Sequence, residues 1–427
     1  MEAEEQKGIS RRDFMQVAGG AGLAMGLAGV TGEEAGEDDL DLGLDDIPKD
    51  LEGNVIPGFE KTRKAEPKPK TKTAKGWQPV SDRKVRVGIA GYGLCRFGAQ
   101  FSFQTHPNVE VVAVSDLDPN RCAGLAKVCR CKKTYPSCEE MVKDDNIEAV
   151  FIATDAPSHA RLAVMALKHG KHVASAVPAV FGSNGLEEAE LLFNAVKASG
   201  KKYMMFETTA FRPNCYASRQ QYQAGALGKL VYSEGEYYHY MGAPLGSYNP
   251  KTGKVDGNGW RKGLAPMWYP THSTGFYVAV SGGRLTEASC LGMPSIVGHL
   301  KADGNAYKNP FGTEVALLKT SEGGMSRMAV SWDMPGAHGE TGRVFGQKNG
   351  NTPKVNTSKP PLPPRVSGGG HGGSHGYLSN DFIESILLNR KPVVDAGDAL
   401  NMTLAGVIAH QSALKDGEWM KIPQYEL

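Results

Sequence analysis

The stretch Val85-Arg-Val-Gly-Ile-Ala-Gly-Tyr-Gly93, followed by Val109-Glu-Val-Val-Ala-Val-Ser-Asp116, decides the fold. An apolar run of strand length stops at a glycine turn, a helix-like segment intervenes, and a second apolar run closes on an acid. Those are the parts of a dinucleotide-binding βαβ unit. Gly91 permits the tight turn, and Gly93 lets the backbone approach a pyrophosphate whose charge rests at a helix N-terminus. Asp116 lies roughly 20 residues beyond the turn, where a carboxylate accepts from both ribose hydroxyls. The same carboxylate repels a 2′-phosphate, so the expected cofactor is NAD rather than NADP. The usual third glycine position holds Arg96, and Gly98 follows two residues late.

Outward from that unit, strand and helix patterns alternate as a doubly wound sheet requires. Residues 121–128 and 137–144 read as helices and 147–153 as a buried strand. A helix over 158–169 stops at Gly170, a strand follows over 171–174, a helix over 184–199 stops at Gly200, and 203–206 is the last strand of this sheet. The pattern then changes. Residues 229–240, 285–297, 313–320 and 324–332 alternate as strands of a mostly antiparallel sheet. Residues 335–376 are dense in glycine, proline and polar side chains and read as one long loop, with helices over 377–388 and 398–414 closing the chain. The expected fold is α/β: an N-terminal Rossmann dinucleotide-binding domain (81–206), then a C-terminal α+β domain (207–427) whose open, mostly antiparallel sheet binds substrate.

Upstream, Ser10-Arg-Arg-Asp-Phe-Met-Gln16 precedes a short, weakly apolar, glycine-rich run. Residues 1–30 therefore read as a twin-arginine export signal. Residues 31–80 open acidic and turn basic and proline-rich, the composition of a disordered linker. The twin-arginine machinery carries folded proteins. The expectation is an enzyme that gains its cofactor in the cytoplasm and works in the periplasm or otherwise exported.

A net charge of +2 and the lack of a basic stripe with interleaved aromatics exclude a nucleic-acid binder. Seven cysteines are too few and too irregular for a disulfide scaffold. Cys122, Cys129, Cys131 and Cys138 are spaced symmetrically but contain no Cys-x-x-Cys pair, so they read as thiols, and no metal is expected.

Ile152-Ala-Thr154 with Pro157 and His159, then Gly170-Lys-His-Val173 and a proline turn, resemble in their order the Gfo/Idh/MocA oxidoreductases. That resemblance implies an NAD(P)-binding domain, an open-faced sheet domain, substrate between them, and a homo-oligomer. It places Thr154, His159, Val177 and Pro178 on the cofactor side, although His159 in such a position more readily caps or packs. The chain departs from the family at Ala176-Val177-Pro178, where a Glu-Lys-Pro turn is usual, and at Trp268 and Gly275, where acids flank the histidine at 272. It is also similar to NAD-dependent glycoside hydrolases of the α-N-acetylgalactosaminidase type, through Val177-Pro178, Trp260-Arg261, Tyr269-Pro-Thr-His272 and His371-Gly-Gly373. In that branch the Arg, Tyr and His contact the sugar, and a tyrosine of theirs falls at Phe211 here.

The residue types make chemical sense by themselves. Taking hydride from a secondary alcohol needs a base near neutrality for the hydroxyl proton, and imidazole suits that. His272 is the expected acid/base, Tyr269 a phenol that donates or relays, and Arg261 a fork onto vicinal hydroxyls. His371 and His375 lie in glycine-rich backbone with little core to join, and are placed with the substrate. The expected activity is hydride transfer on a sugar or sugar derivative with tightly bound cofactor. Redox-neutral glycoside cleavage and carbohydrate binding without catalysis are the alternatives.

Overall fold

The computed structural model describes residues 76–242, 259–337, 339–348 and 355–427, with backbone alone for two short strands between 247 and 256. The expected export signal and the linker up to residue 75 lie outside the described residues.

Six short runs form the first sheet: β1 (Val85–Ala90), β2 (Val109–Ser115), β3 (Thr134–Tyr135), β4 (Ala149–Ile152), β5 (His172–Ser175) and β6 (Tyr203–Met205). The order is β3-β2-β1-β4-β5-β6 and every pairing is parallel. Helices cover both faces of such a sheet, which is why β4 reads Ala-Val-Phe-Ile with no polar member and is buried at all four positions. Strand order reverses between β1 and β4, and ligands of open parallel sheets bind at that switch point. One detail differs from the expectation. The helix after the glycine turn is a single turn, Phe97–Gln100, entered through Arg96 in the left-handed region (φ 49°). A one-turn helix supplies little dipole to an anion.

The second sheet comprises β7 (Leu230–Tyr238), β10 (Leu285–Pro294), β11 (Phe311–Thr320), β12 (Met325–Ser331), β13 (Gly339–Gly346) and β14 (Met420–Lys421), in the order β13-β7-β12-β11-β10-β14. A hairpin of β8 (Ser247–Asn249) and β9 (Lys254–Asp256) stands apart. The larger sheet is antiparallel except for β7 with β12. The expected α/β architecture with two sheets is borne out.

Part of the expected 335–376 loop is in fact β13, an edge strand pairing with β7. Its less exposed positions are Glu340, Gly342, Val344 and Gly346, so an inward face built from an acid and glycines hid the period-2 signal. Those glycines have a purpose. Gly342 lies opposite Gly235 of β7. A Cβ on Gly235 would come within 2.1 Å of the Ser273 carbonyl, and one on Gly342 within 2.3 Å of the Phe276 ring. The two bare positions form a trough in which the buried helix Thr271–Ser281 lies close against the sheet. That seating sets His272 beside β7.

The helix Ala396–Ala413 is buried along almost its whole length and joins the two halves. Asp395 caps it by accepting from the Asp398 N–H. Gly406 lets it reach the Met267 carbonyl, where a Cβ would sit 2.1 Å away, and Gly185 of the Rossmann half meets its Val407. A second bond between the halves is aromatic. Phe206 packs on Phe151 (5.0 Å between centroids), Phe101 (5.1 Å) and Phe382 of the helix His375–Leu387 (6.1 Å). Such pairs contribute about 0.5–1.5 kcal/mol each beyond area burial, and they fix the helix that begins at His375.

Candidate active site

A cleft of about 590 Å³ opens along the ends of β1, β2 and β4. Gly91, Gly93, Asp116, Thr154, His159 and Val177 all line it, whereas Pro178 does not. The backbone there has the shape a dinucleotide needs. Gly91 has φ 102° and presses on β4, where a Cβ would lie 2.4 Å from the Ala153 carbonyl. Nothing stands within 4 Å of a Cβ built on Gly93, so open space lies where a pyrophosphate would approach. Gly98 does the third glycine's work two residues late: its Cβ would meet the Gly91 carbonyl at 2.3 Å.

Asp116 accepts from the Tyr92 N–H (2.6 Å) and the Asp118 N–H (2.9 Å), one on each oxygen. Each carboxylate oxygen keeps a second lone-pair site, enough for a pair of ribose hydroxyls. Positive charge near the turn comes from Arg96, Arg121 and Arg161 in the cleft wall rather than from a long helix. These residues fit NAD, which they would hold by the turn and the Asp116 carboxylate.

His159 proves to be a clamp. Its Nδ1 lies 2.9 Å from the Pro178 carbonyl and its Nε2 3.2 Å from that of Thr154. Burial keeps the ring neutral, so a single N–H serves, and the shorter contact to Pro178 is the better bond. The ring ties together the turns after β4 and β5. The Val177–Pro178 peptide is cis.

A smaller chamber adjoins the cleft. Cys95, Val177, Trp260, Arg261 and Tyr269 line both, and His272, His371, Tyr237 and His239 line the chamber alone. Of the residues expected to act on substrate, the structure brings Arg261, Tyr269, His272 and His371 to this chamber. His375 stands one layer behind, bonded to His371. Arg261 stacks on Trp260 at 4.1 Å, and Trp260 is stacked near Tyr269 in turn.

His272 occupies the first turn of Thr271–Ser281 and is 4% exposed. Its Nδ1 is 2.8 Å from Glu207 Oε1 and 3.7 Å from Glu340 Oε2. Glu207 is held by its own peptide geometry, since Oε1 also accepts from the Thr209 N–H. Glu340 accepts from Arg212 Nε (2.5 Å) and the Thr209 hydroxyl (3.2 Å). Burial pushes the His272 pKa down, but the two carboxylates outweigh it and the net direction is up. Burial likewise opposes both carboxylates, yet the His272 charge brings Glu207 below the usual range, and His272 with Arg212 brings Glu340 to about 2. Two carboxylates, one guanidinium and one imidazolium sum to zero. The buried cluster is neutral when His272 is protonated. With Nδ1 committed to Glu207, Nε2 has no partner among the described residues and is the nitrogen available to the chamber.

Glu207, His272 and Glu340 are also close enough to hold a cation: their ligand atoms lie within 4.8 Å of one another. The Arg212 guanidinium already sits on Glu340, and a divalent ion there would leave the cluster positive. Proton storage fits these residues and a metal does not.

Sequence reasoning missed Glu207, Arg212, Tyr237, His239 and Glu340. Two signals were available. Tyr237 and His239 alternate along one face of β7 and its continuation, and the Tyr237 hydroxyl lies 2.9 Å from His239 Nδ1. Glu340 pairs in register with Tyr237 across β13 and β7, so both side chains emerge on one face. His239 Nε2 is buried without a partner among the described residues. Burial and the neighbouring Arg261 charge lower its pKa to about 3, so it faces the chamber as a neutral ring. The four cysteines at 122, 129, 131 and 138 are buried free thiols.

Residues 85–207 match the family model described as an oxidoreductase family, NAD-binding Rossmann fold, Gfo/Idh/MocA. This segment is a Gfo/Idh/MocA NAD-binding domain. Among curated proteins, the chain is 32% identical over 167 residues to glycosyl hydrolase family 109 protein 1 of Bacteroides fragilis, 37% of this chain and 35% of that one. It is 29% identical over 231 residues to glycosyl hydrolase family 109 protein 4 of Phocaeicola vulgatus, 50% of this chain and 44% of that one. The matched stretches thus span less than half the length of these relatives. Among solved structures, levoglucosan dehydrogenase in complex with NADH and levoglucosan aligns with a TM-score of 0.63 at 16% identity, over 80% of this chain and 100% of that one. Apo scyllo-inositol dehydrogenase of Lactobacillus casei aligns with 0.60 at 17%, over 80% and 99%. These likenesses establish that the two-sheet fold, and not only the Gfo/Idh/MocA domain, is shared.

Proposed function

We propose that this chain is an exported enzyme that acts on a sugar by hydride transfer with NAD held in the cleft. The observation that carries the reading is the placement of His272: Nδ1 fixed on Glu207, Nε2 turned to a chamber that opens onto the cofactor cleft. NAD bound there supplies a hydride acceptor and, in the return step, a hydride donor. His272, momentarily neutral, takes the alcohol proton at Nε2 as the carbon loses hydride, and Glu207 with Glu340 stabilise the imidazolium that results. Tyr269, whose hydroxyl has no partner among the described residues, stands where chamber and cleft meet and donates to a second substrate oxygen. Arg261, flattened on Trp260, presents its fork to hydroxyls. Asp116 selects NAD over NADP.

A second reading has its own support. The family 109 relatives favour redox-neutral glycoside cleavage, in which a transient ketone acidifies the neighbouring C–H, permits elimination and is reduced again. Both readings use the same residues. A glycan panel separates them: net nicotinamide absorbance change with oxidised product supports the dehydrogenase, and released sugar without net change supports the glycosidase. Silence in both, with NAD bound, leaves a carbohydrate-binding protein and defeats the enzymatic reading.

The twin-arginine route is part of the proposal and rests on Arg11 and Arg12. Replacing both with Lys should hold the protein in the cytoplasm, and unchanged export would remove it. The exposed apolar face of the second sheet, with Leu291, Met293, Val315 and Leu317, supports a homo-oligomer built on that face.

A further inference from the structure

We infer that the sugar this chain takes is an acidic one, its carboxylate received by Arg261 together with His239. The inference deepens the proposed function and rests on it: the fork that meets hydroxyls on a neutral sugar meets a planar anion on a sugar acid. Three observations carry it, and the first is the make-up of the wall. Among the described residues no Asp or Glu lines the chamber, and its basic members are Arg261 and the imidazoles of His239, His272 and His371. A neutral sugar brings hydroxyl protons, for which carboxylates are the strongest acceptors. A wall without carboxylates, and with a guanidinium that can only donate, matches a ligand rich in acceptors instead.

The second observation is a surplus charge held in a fixed place. The Arg261 guanidinium makes no ion pair or hydrogen bond among the described residues, and lies 4.1 Å from the centroid of the Trp260 ring. Trp260 is itself anchored: its carbonyl accepts from the Tyr307 hydroxyl (2.9 Å), and its ring meets Phe181 edge-on at 5.6 Å. Glu207, Glu340, Arg212 and protonated His272 already sum to zero, so Arg261 leaves one positive charge over. The surplus is the same when oxidised NAD is bound and His272 is neutral, because the nicotinamide ring then carries the charge the imidazole has lost. A carboxylate brings the sum to zero, and its plane matches the guanidinium fork bidentately.

The third observation is the orphaned nitrogen of His239. Its Nε2 is buried without a partner among the described residues, while Nδ1 lies 2.9 Å from the Tyr237 hydroxyl. That hydroxyl can donate to Nδ1 or accept from it, so the neutral ring sets its one proton to suit the ligand. An anion selects the arrangement in which Tyr237 donates and Nε2 carries the proton. The buried Nε2 then gains the hydrogen bond it lacks, and leaving such an atom unpaired is costly. Burial and the Arg261 charge keep the ring neutral, so His239 adds a donor and no second cation.

The test is calorimetric titration of the full chain loaded with NAD. The probes are hexuronic acids of the gluco, galacto and manno series, their neutral methyl esters, the parent hexoses, and galactose 6-sulfate. At least one acid should bind on the order of 10–100-fold more tightly than its own ester and parent hexose. Arg261→Gln should erase that preference, Arg261→Lys should restore part of it, and His239→Phe should weaken the acid more than the ester. Bound NAD should be unchanged in all three variants. Acids that bind no better than their esters, or that do not bind at all, overturn the inference. So does loss of NAD in Arg261→Gln, which would assign the guanidinium to the cofactor. Tighter binding of the sulfate than of every uronate overturns the carboxylate assignment. The two readings fail separately: an acid that binds without reducing the cofactor defeats hydride transfer alone, and oxidation of neutral hexoses as readily as of acids defeats this inference alone.

Discussion

Glu207→Gln is the most informative perturbation of the site. It keeps shape and removes one charge from a fully buried pair 2.8 Å apart. At an effective dielectric of about 20, a pair at that distance is worth roughly 6 kcal/mol before desolvation is subtracted, and breaking a buried pair costs about 3–5 kcal/mol when the other charge stays stranded. His272 escapes that cost by giving up its proton. Glu340 alone then opposes burial and its pKa falls from the wild-type level, each unit of fall representing about 1.4 kcal/mol. Turnover should drop on the order of 10²–10⁴-fold because the imidazolium is no longer stabilised. The acid limb of the pH–rate profile should move to lower pH, and bound NAD should stay at the wild-type level. The assay is a pH–rate profile on the best substrate from the glycan panel, with dinucleotide measured in the supernatant after denaturation. An acid limb that stays in place would refute the reasoning, since Glu207 would then not set the His272 pKa.

Other consequences follow. Gly98→Ala forces a Cβ to 2.3 Å from the Gly91 carbonyl and should cost about 1–3 kcal/mol in urea unfolding along with NAD affinity. Gly93→Ala meets only open space and should spare stability while still weakening NAD. Asp116→Ala should weaken NAD more than NADP in titration, and equal losses would defeat the cofactor preference. The buried cluster also fixes a pH window for stability. The lowered Glu340 contributes stability above about 4.5 that is lost as pH falls towards about 2, the lowered Glu207 acts in the same sense, and the raised His272 contributes below about 6.5 and loses its part as pH rises through its folded pKa. Urea unfolding across pH should therefore show Glu340→Gln losing most between those limits, and a flat difference would contradict it.

The first sheet was legible because its longer parallel strands are mostly apolar and several of its turns carry glycine or proline, whereas the two-residue strand Thr134–Tyr135 is too short and polar to read. The cleft was legible for the same reason, since Gly91, Gly93 and Asp116 lie within one local unit. The chamber was not. Glu207 follows β6, Tyr237 and His239 come from β7 and its end, Glu340 from β13, and only the sheet register and the Gly235–Gly342 trough bring them to His272. The helix Thr271–Ser281 escaped notice because Thr, Ser, Gly and β-branched residues give it no helical propensity and its buried surface runs all the way round. The helix Pro213–Gln223 escaped for the opposite reason, being mostly polar with few buried positions. His272, Tyr269 and Arg261 were legible as chemistry, but the carboxylates that would make His272 an acid/base were visible only in three dimensions.

The central claim is that His272 moves the substrate proton beside a bound NAD. Single-turnover mixing of NAD-loaded wild type and His272→Ala with the sugar panel, followed by nicotinamide absorbance, tests it most directly. Wild type should show reduction of the bound cofactor, transient if the cycle is redox-neutral, and the variant should keep its NAD while reduction slows on the order of 10²–10⁴-fold. Reduction at the wild-type rate in His272→Ala would contradict the account.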